Sequence, residues 1–319
     1  MKLLITAPYT EEKIVELKEL FPDISYHPWK PHGRAYNENE LIDLLRKTEA
    51  SALITEHDDV SEKVIEEFPN LEFIGVCRGT PSNVAIDVAH KLGIKVLSTP
   101  ARNAQAVVEM FISNVIVLLR KTMAGVEWLE GNNWDEGAHT SYLQFKGNEL
   151  AGKTIGLIGF GAIGQRIAEL TKGFPCKIQF YDPYIKEWDE NYKNTTLEDI
   201  FETSDIVSVH LPVNSETVGL INDNYLSRMK KDALFVNTAR ASVVNREDLL
   251  KALENNKIRG AYLDVFNHEP PDLTDYRIIH LPNVLATPHI AGATFEVEDH
   301  HSTIMNNQIF NFYLKKNLV

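Results

Sequence analysis

The amino-acid sequence predicts an α/β protein made of two domains, each built on a doubly wound parallel sheet. Three observations support this fold class. The chain has 319 residues, which is more than one ordinary hydrophobic core accommodates. Short apolar runs alternate with longer segments of helical periodicity, as in parallel sheets that helices cover on both faces. The alternation occurs twice, over the first hundred residues and again from about Lys153.

The first series contains three runs that we predict to be buried strands: LLIT at 3–6, ALIT at 52–55 and FIGV at 73–76. The segments between these runs have the spacing of amphipathic helices. Ser61 is a candidate N-cap, and Glu62 follows it in the first turn, where the helix dipole favours an acid. The first series is therefore expected to form one parallel sheet with its covering helices.

Between the two series, residues 103–122 are predicted to form one long helix with apolar residues around its whole surface. Residues 130–142, rich in Gly, Asn and Trp, are predicted to form a loop. The polar tail, 294–316, is predicted to be helical and needs another element to pack on. The second series contains six strand candidates, the number found in a complete dinucleotide-binding sheet: TIGLIGF, KIQFYD, DIVSVHL, ALFVNTA, GAYLDVF and NVLATPH.

The composition limits the classes of partner. With 32 Lys and Arg against 45 Asp and Glu, the formal net charge is −13, so neither nucleic acids nor membranes are expected to be partners. Two cysteines, Cys77 and Cys176, form neither a disulfide framework nor a metal-binding spacing. The N-terminus does not have the pattern of a signal peptide, and the longest aliphatic run, 115–119, is too short to span a bilayer. We therefore expect a cytoplasmic protein.

A glycine-rich stretch follows the first strand candidate of the second series. Its order is Gly159, Phe160, Gly161, Ala162, Ile163 and Gly164. The G-x-G-x-x-G pattern alone is a weak signal, but here an apolar run precedes it and an amphipathic helix pattern follows it. A helix N-terminus offers free N–H groups to a pyrophosphate. A side chain at Gly161 would block the phosphates, and one at Gly164 would push the helix off the strand.

Asp182 strengthens the prediction of a dinucleotide site. It ends the run KIQFYD, eighteen positions after Gly164. An acid there can accept hydrogen bonds from both ribose hydroxyls and would repel a 2′-phosphate, which favours NAD over NADP. The alternative interpretation is a tight strand–helix turn followed by an ordinary surface acid.

Three ionisable residues stand after later apolar runs: Arg240 after LFVNTA, Glu269 after AYLDVFNH, and His289 after VLATP. Ligands of open parallel sheets bind at the carboxyl ends of the strands, so these three side chains could converge on one site. Arg240 considered alone could equally point into water. Glu269 and His289 are too far apart in sequence to pair on one helix turn, and they can meet only if two strands bring them together.

Five segments resemble one known family: GKTIGLIGFGAIGQRIA, VSVHLPVNSETVGLIN, MKKDALFVNTARASVVNREDLLKAL, IRGAYLDVFNHEPP and NVLATPHIAGAT. They are similar to the D-isomer-specific 2-hydroxyacid dehydrogenases, which include phosphoglycerate, glycerate/hydroxypyruvate, glyoxylate and D-lactate enzymes. The resemblance is specific over 150–294 and looser over 72–120. It implies a Rossmann NAD-binding domain, 102–290, inserted in a flavodoxin-like substrate domain formed by 1–101 and 291–319.

The resemblance also implies an active site. Arg240 would bind the 2-keto acid and polarise its carbonyl, Glu269 would support His289, and His289 would be the acid/base. The chemistry is consistent with this, because hydride addition leaves an alkoxide that needs a proton, and a histidine titrates near neutrality. A carboxylate stabilises the imidazolium, and a guanidinium can bind two oxygens at once.

Other site residues carry over from the family pattern. The loop with Arg78, Gly79 and Thr80 would hold the substrate carboxylate by its N–H groups, although the sequence departs from the commoner pattern from Thr80 onward. Asp264 would bind the nicotinamide amide, with a strand-end acid as the alternative. The remaining cofactor contacts implied are His210, Pro212, Thr217, Thr238 and Gly292.

The remaining predictions are the substrate and the oligomeric state. We expect a small unphosphorylated keto acid such as glyoxylate or hydroxypyruvate, because the substrate segments offer only Arg78 and Arg102 as cations. D-3-phosphoglycerate dehydrogenase is the alternative activity, and an NAD-sensing corepressor-like binding protein is a further alternative. A homodimer is expected through the NAD-binding domains, near Trp128, Trp134 and His139. No metal site is expected, and the adjacent residues His300 and His301 are interpreted as a solvated surface.

Overall fold

The computed structural model describes residues 1–134, 138–185, 188–189 and 191–316. The chain divides into two compact units. The first unit comprises Met1–Asn103 and Thr294–Val319, and the second unit comprises Ala104–Ala293. No helix of the described residues is long and apolar enough to cross a membrane.

Both units alternate strands and helices along the chain. The strands are β1 Lys2–Ile5, β2 Asp23–Tyr26, β3 Ala52–Thr55, β4 Phe73–Val76, β5 Lys95–Ser98, β6 Thr154–Ile158, β7 Lys177–Tyr181, β8 Lys193–Asn194, β9 Ile206–Val209, β10 Leu234–Asn237, β11 Gly260–Leu263 and β12 Val284–Ala286. The helices are α1 Glu11–Leu17, α2 Glu38–Thr48, α3 Glu62–Glu67, α4 Ile86–Lys91, α5 Ala104–Arg120, α6 Thr122–Glu130, α7 Ala138–Gln144, α8 Ala162–Leu170, α9 Leu197–Thr203, α10 Asp223–Leu226, α11 Arg246–Glu254, α12 Leu273–Ile279 and α13 Glu296–Lys316.

The first unit contains a five-stranded sheet in the order β2-β1-β3-β4-β5, with every strand pair parallel. This is the flavodoxin-like order, and its topological switch point lies between β1 and β3. Helix α13 packs against α1 and β5. It contributes Met305, Ile309 and Tyr313 to the core that contains Phe21 and Phe73. The packing partner that the tail requires is therefore in the first unit.

The second unit contains a seven-stranded parallel sheet in the order β12-β11-β10-β9-β6-β7-β8. Numbered from β6, its first six strands have the 3-2-1-4-5-6 order of dinucleotide-binding sheets, and the switch point lies between β6 and β9. Helices α5 and α8 pack together, and the buried Val108, Phe111 and Val115 of α5 join the same core as Leu157 of β6. The predicted fold class of two doubly wound parallel-sheet domains is confirmed.

Three strands have no counterpart among the strand candidates: β2, β5 and β8. Each lies at the edge of a sheet and pairs with one neighbour. Edge strands are partly exposed, so β2 and β8 carry no continuous apolar run that could mark them. The predicted loop at 130–142 is also partly wrong, because α7 begins at Ala138 and includes His139; its residues 135–137 lie outside the part of the chain that the structure describes.

Candidate functional site

The glycine loop connects β6 to α8 at the switch point of the second sheet. Gly159 has a φ of +93°, and a Cβ there would lie 2.8 Å from the carbonyl oxygen of His210. A Cβ on Gly164 would lie 2.6 Å from the carbonyl oxygen of Gly159. Both positions therefore exclude a side chain because the loop, the helix and the end of β9 approach closely.

Gly161 differs from its neighbours because space around it is open. It is the N-cap of α8, and no other heavy atom lies within 4 Å of the position a Cβ would take. Ala162 and Ile163 are the first residues of the helix. The N–H groups of a first helical turn have no partner within the helix and carry its positive dipole end. This arrangement suits a pyrophosphate group.

Asp182 follows β7 directly and fixes the glycine loop. Its Oδ2 accepts a hydrogen bond from the N–H of Phe160 at 2.9 Å, and its Oδ1 accepts one from the N–H of Tyr184 at 2.9 Å. An ionised carboxylate has about four acceptor positions, so two remain for a ribose. Asp182 thus couples the end of β7 to the phosphate-binding turn.

His210 follows β9 across the switch point. Its Nε2 lies 2.8 Å from the hydroxyl of Ser208, while its buried Nδ1 has no hydrogen-bond partner among the described residues. Burial lowers the pKa of His210 to about 3, so the imidazole is neutral at physiological pH. An unpartnered buried nitrogen at this position is free for a ligand.

The turn after His210 is held by Thr217. The Thr217 hydroxyl donates to the carbonyl of Pro212 at 2.6 Å and accepts from the N–H of Asn214 at 2.9 Å. The side chain of Thr217 therefore shapes this turn, and its direct contact with a cofactor stays a prediction. Pro212 itself is exposed.

The end of β10 carries both a buried hydroxyl and an exposed guanidinium. The Oγ1 of Thr238 is buried and has no partner among the described residues. Asn237 organises the turn, since its Nδ2 donates to the carbonyl of Arg240 at 3.0 Å and its Oδ1 accepts from the N–H of Ala239 at 3.0 Å. Arg240 is exposed, and its Nη1 donates to the carbonyl of Ala239 at 2.6 Å.

Glu269 and His289 meet after two neighbouring strands, β11 and β12. The Nδ1 of His289 lies 2.8 Å from Oε2 of Glu269, and both side chains are about half exposed. The N–H of Phe266 donates to Oε1 of Glu269 at 3.3 Å. Arg240 follows β10, the strand beside β11, so all three residues follow the carboxyl ends of adjacent parallel strands.

Asp264 holds the loop that carries His289. Its buried carboxylate accepts hydrogen bonds from the Thr287 hydroxyl at 2.5 Å, from the Ile290 N–H at 2.9 Å and from the Ala291 N–H at 2.8 Å. These donors flank His289, whose backbone has a φ of +55°. Asp264 therefore positions His289 and the turn before Gly292. Its predicted contact with nicotinamide would have to use the remaining acceptor position.

A second buried acid, Asp275, positions the segment beside Glu269. Its Oδ2 accepts from the N–H of His268 at 3.1 Å, and Arg246 donates to its Oδ1 at 3.3 Å. Arg246 also donates to Asp272, which contacts His268. Arg246 thus forms ion pairs with both carboxylates, Asp272 and Asp275. The sequence does not mark Asp275, because its role depends on a helix cap that is seen only in three dimensions.

The substrate-loop candidates lie in the first unit, directly after β4. The N–H of Arg78 donates to the carbonyl of Val76 at 2.7 Å, and the Arg78 carbonyl accepts from the N–H of Thr99 at 2.9 Å. The Thr80 carbonyl accepts from the N–H of Ser82 at 2.9 Å. Gly79 lies between them in a bend at the carboxyl end of the strand.

Comparison with known proteins identifies close relatives. Residues 112–291 match a family model described as the NAD binding domain of D-isomer specific 2-hydroxyacid dehydrogenases. The chain is 57% identical over 318 residues to YoaD from Bacillus subtilis, whose name marks it as a provisional 2-hydroxyacid dehydrogenase; the match covers 100% of this chain and 92% of YoaD. It is 36% identical over 304 residues to a glyoxylate reductase from Thermofilum pendens, covering 92% of this chain and 86% of that enzyme.

A solved structure has a similar fold. It is an acyclic imino acid reductase (Bsp5) in complex with NADPH and D-Arg. The TM-score is 0.81 and the sequence identity is 26%, and the match covers 99% of this chain and 98% of that chain.

Proposed function

Because the chain belongs to the D-isomer-specific 2-hydroxyacid dehydrogenase family, we propose that Arg240, Glu269 and His289 are the catalytic residues of an NAD-dependent dehydrogenase. The reaction transfers a hydride between nicotinamide and C2 of a small 2-keto or D-2-hydroxy acid. The observation that carries the residue assignment is the 2.8 Å contact between His289 Nδ1 and Glu269 Oε2 after β12 and β11.

The described residues fit an NAD molecule. Open space at Gly161 and the free N–H groups of α8 suit the pyrophosphate, and Asp182 suits the adenosine ribose. The unpartnered His210 Nδ1 and Thr238 Oγ1 are further candidates for polar contacts. NAD, when bound, supplies the hydride acceptor or donor. The side chains of this protein bind the substrate and exchange the proton.

The proton step follows from the tautomer of His289. Ionised Glu269 can only accept, so Nδ1 of His289 carries the hydrogen of their hydrogen bond. Nε2 is then the atom that exchanges a proton with the substrate oxygen. In the reductive direction an imidazolium gives this proton to the alkoxide that forms at C2, and Glu269 stabilises the imidazolium before it does so. Arg240 binds the carboxylate or carbonyl oxygen through its planar guanidinium.

We assign binding of the substrate carboxylate to Arg78, Gly79 and Thr80 of the first unit. Their position after the carboxyl end of β4 supports this assignment, because ligands of open parallel sheets bind at that edge. The substrate class that we propose is a short, unphosphorylated 2-keto acid of the glyoxylate or hydroxypyruvate type.

We also propose that the protein is a homodimer and is located in the cytoplasm. Exposed apolar side chains on and around α6 and α7 support a dimer, among them Met123, Leu129, Trp134, Tyr142 and Leu143. Both cysteines, Cys77 and Cys176, are free thiols, which suits a reducing compartment.

The test is a panel of 2-keto acids with NADH, followed at the absorbance of the reduced cofactor. The purified protein should reduce at least one short acid to the D isomer. His289→Asn should lower kcat on the order of a hundredfold or more, the usual effect of losing a general acid. The exposed histidine variant His90→Asn is the control and should keep full activity. Turnover of no acid would favour the NAD-sensing binding protein, and near-normal kcat in His289→Asn would exclude the assignment.

A further inference from the structure

A buried charged cluster occupies the carboxyl edge of the sheet in the first unit. Glu56 follows β3 directly, and its side chain is only 8% exposed. Strands β1 and β3 flank the switch point of this sheet, where open α/β sheets bind ligands. A buried ionisable group at such a place needs an explanation, since an unpaired buried charge is costly.

Glu56 has three polar neighbours, which come from three loops of the same edge. Arg102, beyond β5, donates from Nη1 to Oε1 at 2.6 Å. Trp29, beyond β2, donates from Nε1 to Oε2 at 3.1 Å. The Nε2 of His57 lies 3.5 Å from Oε1. The carboxylate therefore fixes several loops at once, and its strongest partner is the guanidinium of Arg102.

His301 of α13 is a second partner of Arg102. Its Nε2 lies 2.6 Å from the carbonyl oxygen of Pro8, which can only accept, so Nε2 carries a hydrogen. Its Nδ1 lies 3.0 Å from Nη1 of Arg102, which can only donate, so Nδ1 is unprotonated. His301 is thus neutral and fully buried. The interpretation of His300 and His301 as a solvated surface is wrong for His301.

The ion pair of Arg102 with Glu56 has no net charge. Burial alone would raise the pKa of Glu56, but Arg102 and His57 more than offset it, and the pKa lies below its ordinary value. Burial lowers the pKa values of His57 and His301, so both are neutral at pH 7. Of the two cations that the sequence offered for a phosphate, Arg102 is therefore already compensated by Glu56.

We propose that Glu56 is a specificity-determining residue, which neutralises Arg102 and so makes this enzyme select 2-keto acids with an uncharged substituent over phosphorylated ones. The inference rests on the proposed function, in which the first unit binds the substrate. A phosphate ester adds about two negative charges, and an ion pair without net charge does not attract them as a lone guanidinium would. A single substrate carboxylate does not depend on Arg102, because the loop of Arg78, Gly79 and Thr80 is assigned to it.

The experiment compares kcat/KM for hydroxypyruvate and for 3-phosphohydroxypyruvate, with NADH, in the wild type and in Glu56→Gln. The wild type should prefer the unphosphorylated acid by about tenfold or more, and Glu56→Gln should shrink this ratio about tenfold, mainly through KM of the ester. Glu56→Asp keeps the charge and should keep the preference. Glu49→Gln removes an exposed acid that pairs with Lys2, and should leave the ratio unchanged.

The outcomes separate this inference from the proposed function. Turnover of no keto acid overturns both. Turnover with the same ratio in the wild type and in Glu56→Gln overturns only the role of Glu56. If Glu56→Gln does not fold, the wild type still decides: a preference for the phosphate ester, or strong competitive inhibition by inorganic phosphate that is lost in Arg102→Gln, overturns the inference. Weak inhibition and preference for hydroxypyruvate support it.

Discussion

Asp182 has structural contacts that the sequence did not reveal. Both of its carboxylate oxygens accept hydrogen bonds from backbone N–H groups. We expect Asp182→Ala to lower kcat/KM for NADH about tenfold more than for NADPH, since a charged acceptor for the ribose hydroxyls is lost. Steady-state kinetics with both cofactors measure this ratio.

Asp205→Ala is the matched control for Asp182. Asp205 also accepts a backbone N–H, from Thr154 at 2.8 Å, but it precedes β9 at the opposite edge of the same sheet. Its replacement should leave the ratio of the two cofactors unchanged. A wild type that prefers NADPH about tenfold or more would contradict the ribose argument.

His210 predicts a pH dependence of folding stability. Its pKa is about 3 in the folded chain, below the ordinary value of 6.5, so the unfolded chain binds a proton first as the pH falls. Stability from this group is complete above about pH 6.5 and is lost as the pH falls toward about 3. Between about pH 7.5 and about pH 5.5 the free energy of unfolding should fall by about 1.4 kcal/mol through His210.

Urea denaturation without NAD at the two pH values measures this loss. His210→Asn should remove about 1.4 kcal/mol of the pH dependence, whereas the exposed variant His90→Asn should not change it. An identical slope in the wild type and in His210→Asn would show that the imidazole titrates normally.

At the scale of elements, the approach of α8 to β6 depends on Gly164. A Cβ there would lie 2.6 Å from the carbonyl oxygen of Gly159, so Gly164→Ala must shift the helix or the loop. We expect a loss of about 1–3 kcal/mol in the free energy of unfolding, the usual cost of overpacking, together with weaker NADH binding. Denaturation and titration calorimetry measure the two effects.

Gly173→Ala is the control for Gly164→Ala. Gly173 follows the same helix, and no heavy atom lies within 4 Å of the position its Cβ would take. The Gly173→Ala variant should retain both the free energy of unfolding and the NADH affinity of the wild type. Wild-type affinity in Gly164→Ala would mean that the loop relaxes without loss of the phosphate-binding geometry.

Sequence patterns predicted every strand whose positions are all buried. The runs that became β3, β4 and β9 are fully buried, and every one of their positions had to be apolar or paired. The edge strands β2 and β8 lack that constraint, so their sequences do not differ from loops. Periodicity therefore predicts the interior of a parallel sheet better than its edges.

At the scale of the whole molecule, the surface that we propose for a dimer lies on α6 and α7. Helix α5 was expected to need a partner because it is apolar all round, yet its Val108, Phe111 and Val115 are buried in the core of the second unit. By contrast, Leu129 is 53% exposed and Leu143 is 70% exposed. Exposed apolar side chains that cluster in this way mark association surfaces.

We expect the wild type to have twice the mass of the chain in light scattering at about micromolar concentration, typical of a stable interface. The double variant Leu129→Lys with Leu143→Lys should be monomeric, because two charges would have to be desolvated. Leu273→Lys, at an exposed leucine of α12, should remain dimeric. A wild-type monomer, or a dimer that survives the double variant, would contradict this surface.

The sequence by itself determined which residues stand at the ends of the strands. Glycine spacing, apolar runs and the residues after them are local properties. They were sufficient to predict that the glycine loop joins a strand to a helix and that Asp182, Arg240, Glu269 and His289 follow strands. They were also sufficient for the fold class, because alternation of strands and helices permits few topologies.

Only the tertiary structure decided which polar groups are partners. Asp264 was expected to contact a ligand, but it also fixes the loop of His289; Glu56 and His301 were not recognised as the partners of Arg102. Such contacts join strand ends and helices that are far apart in sequence. Their geometry depends on strand order and on how helices pack, and a polar residue in a sequence carries no mark of the group that it will meet after burial.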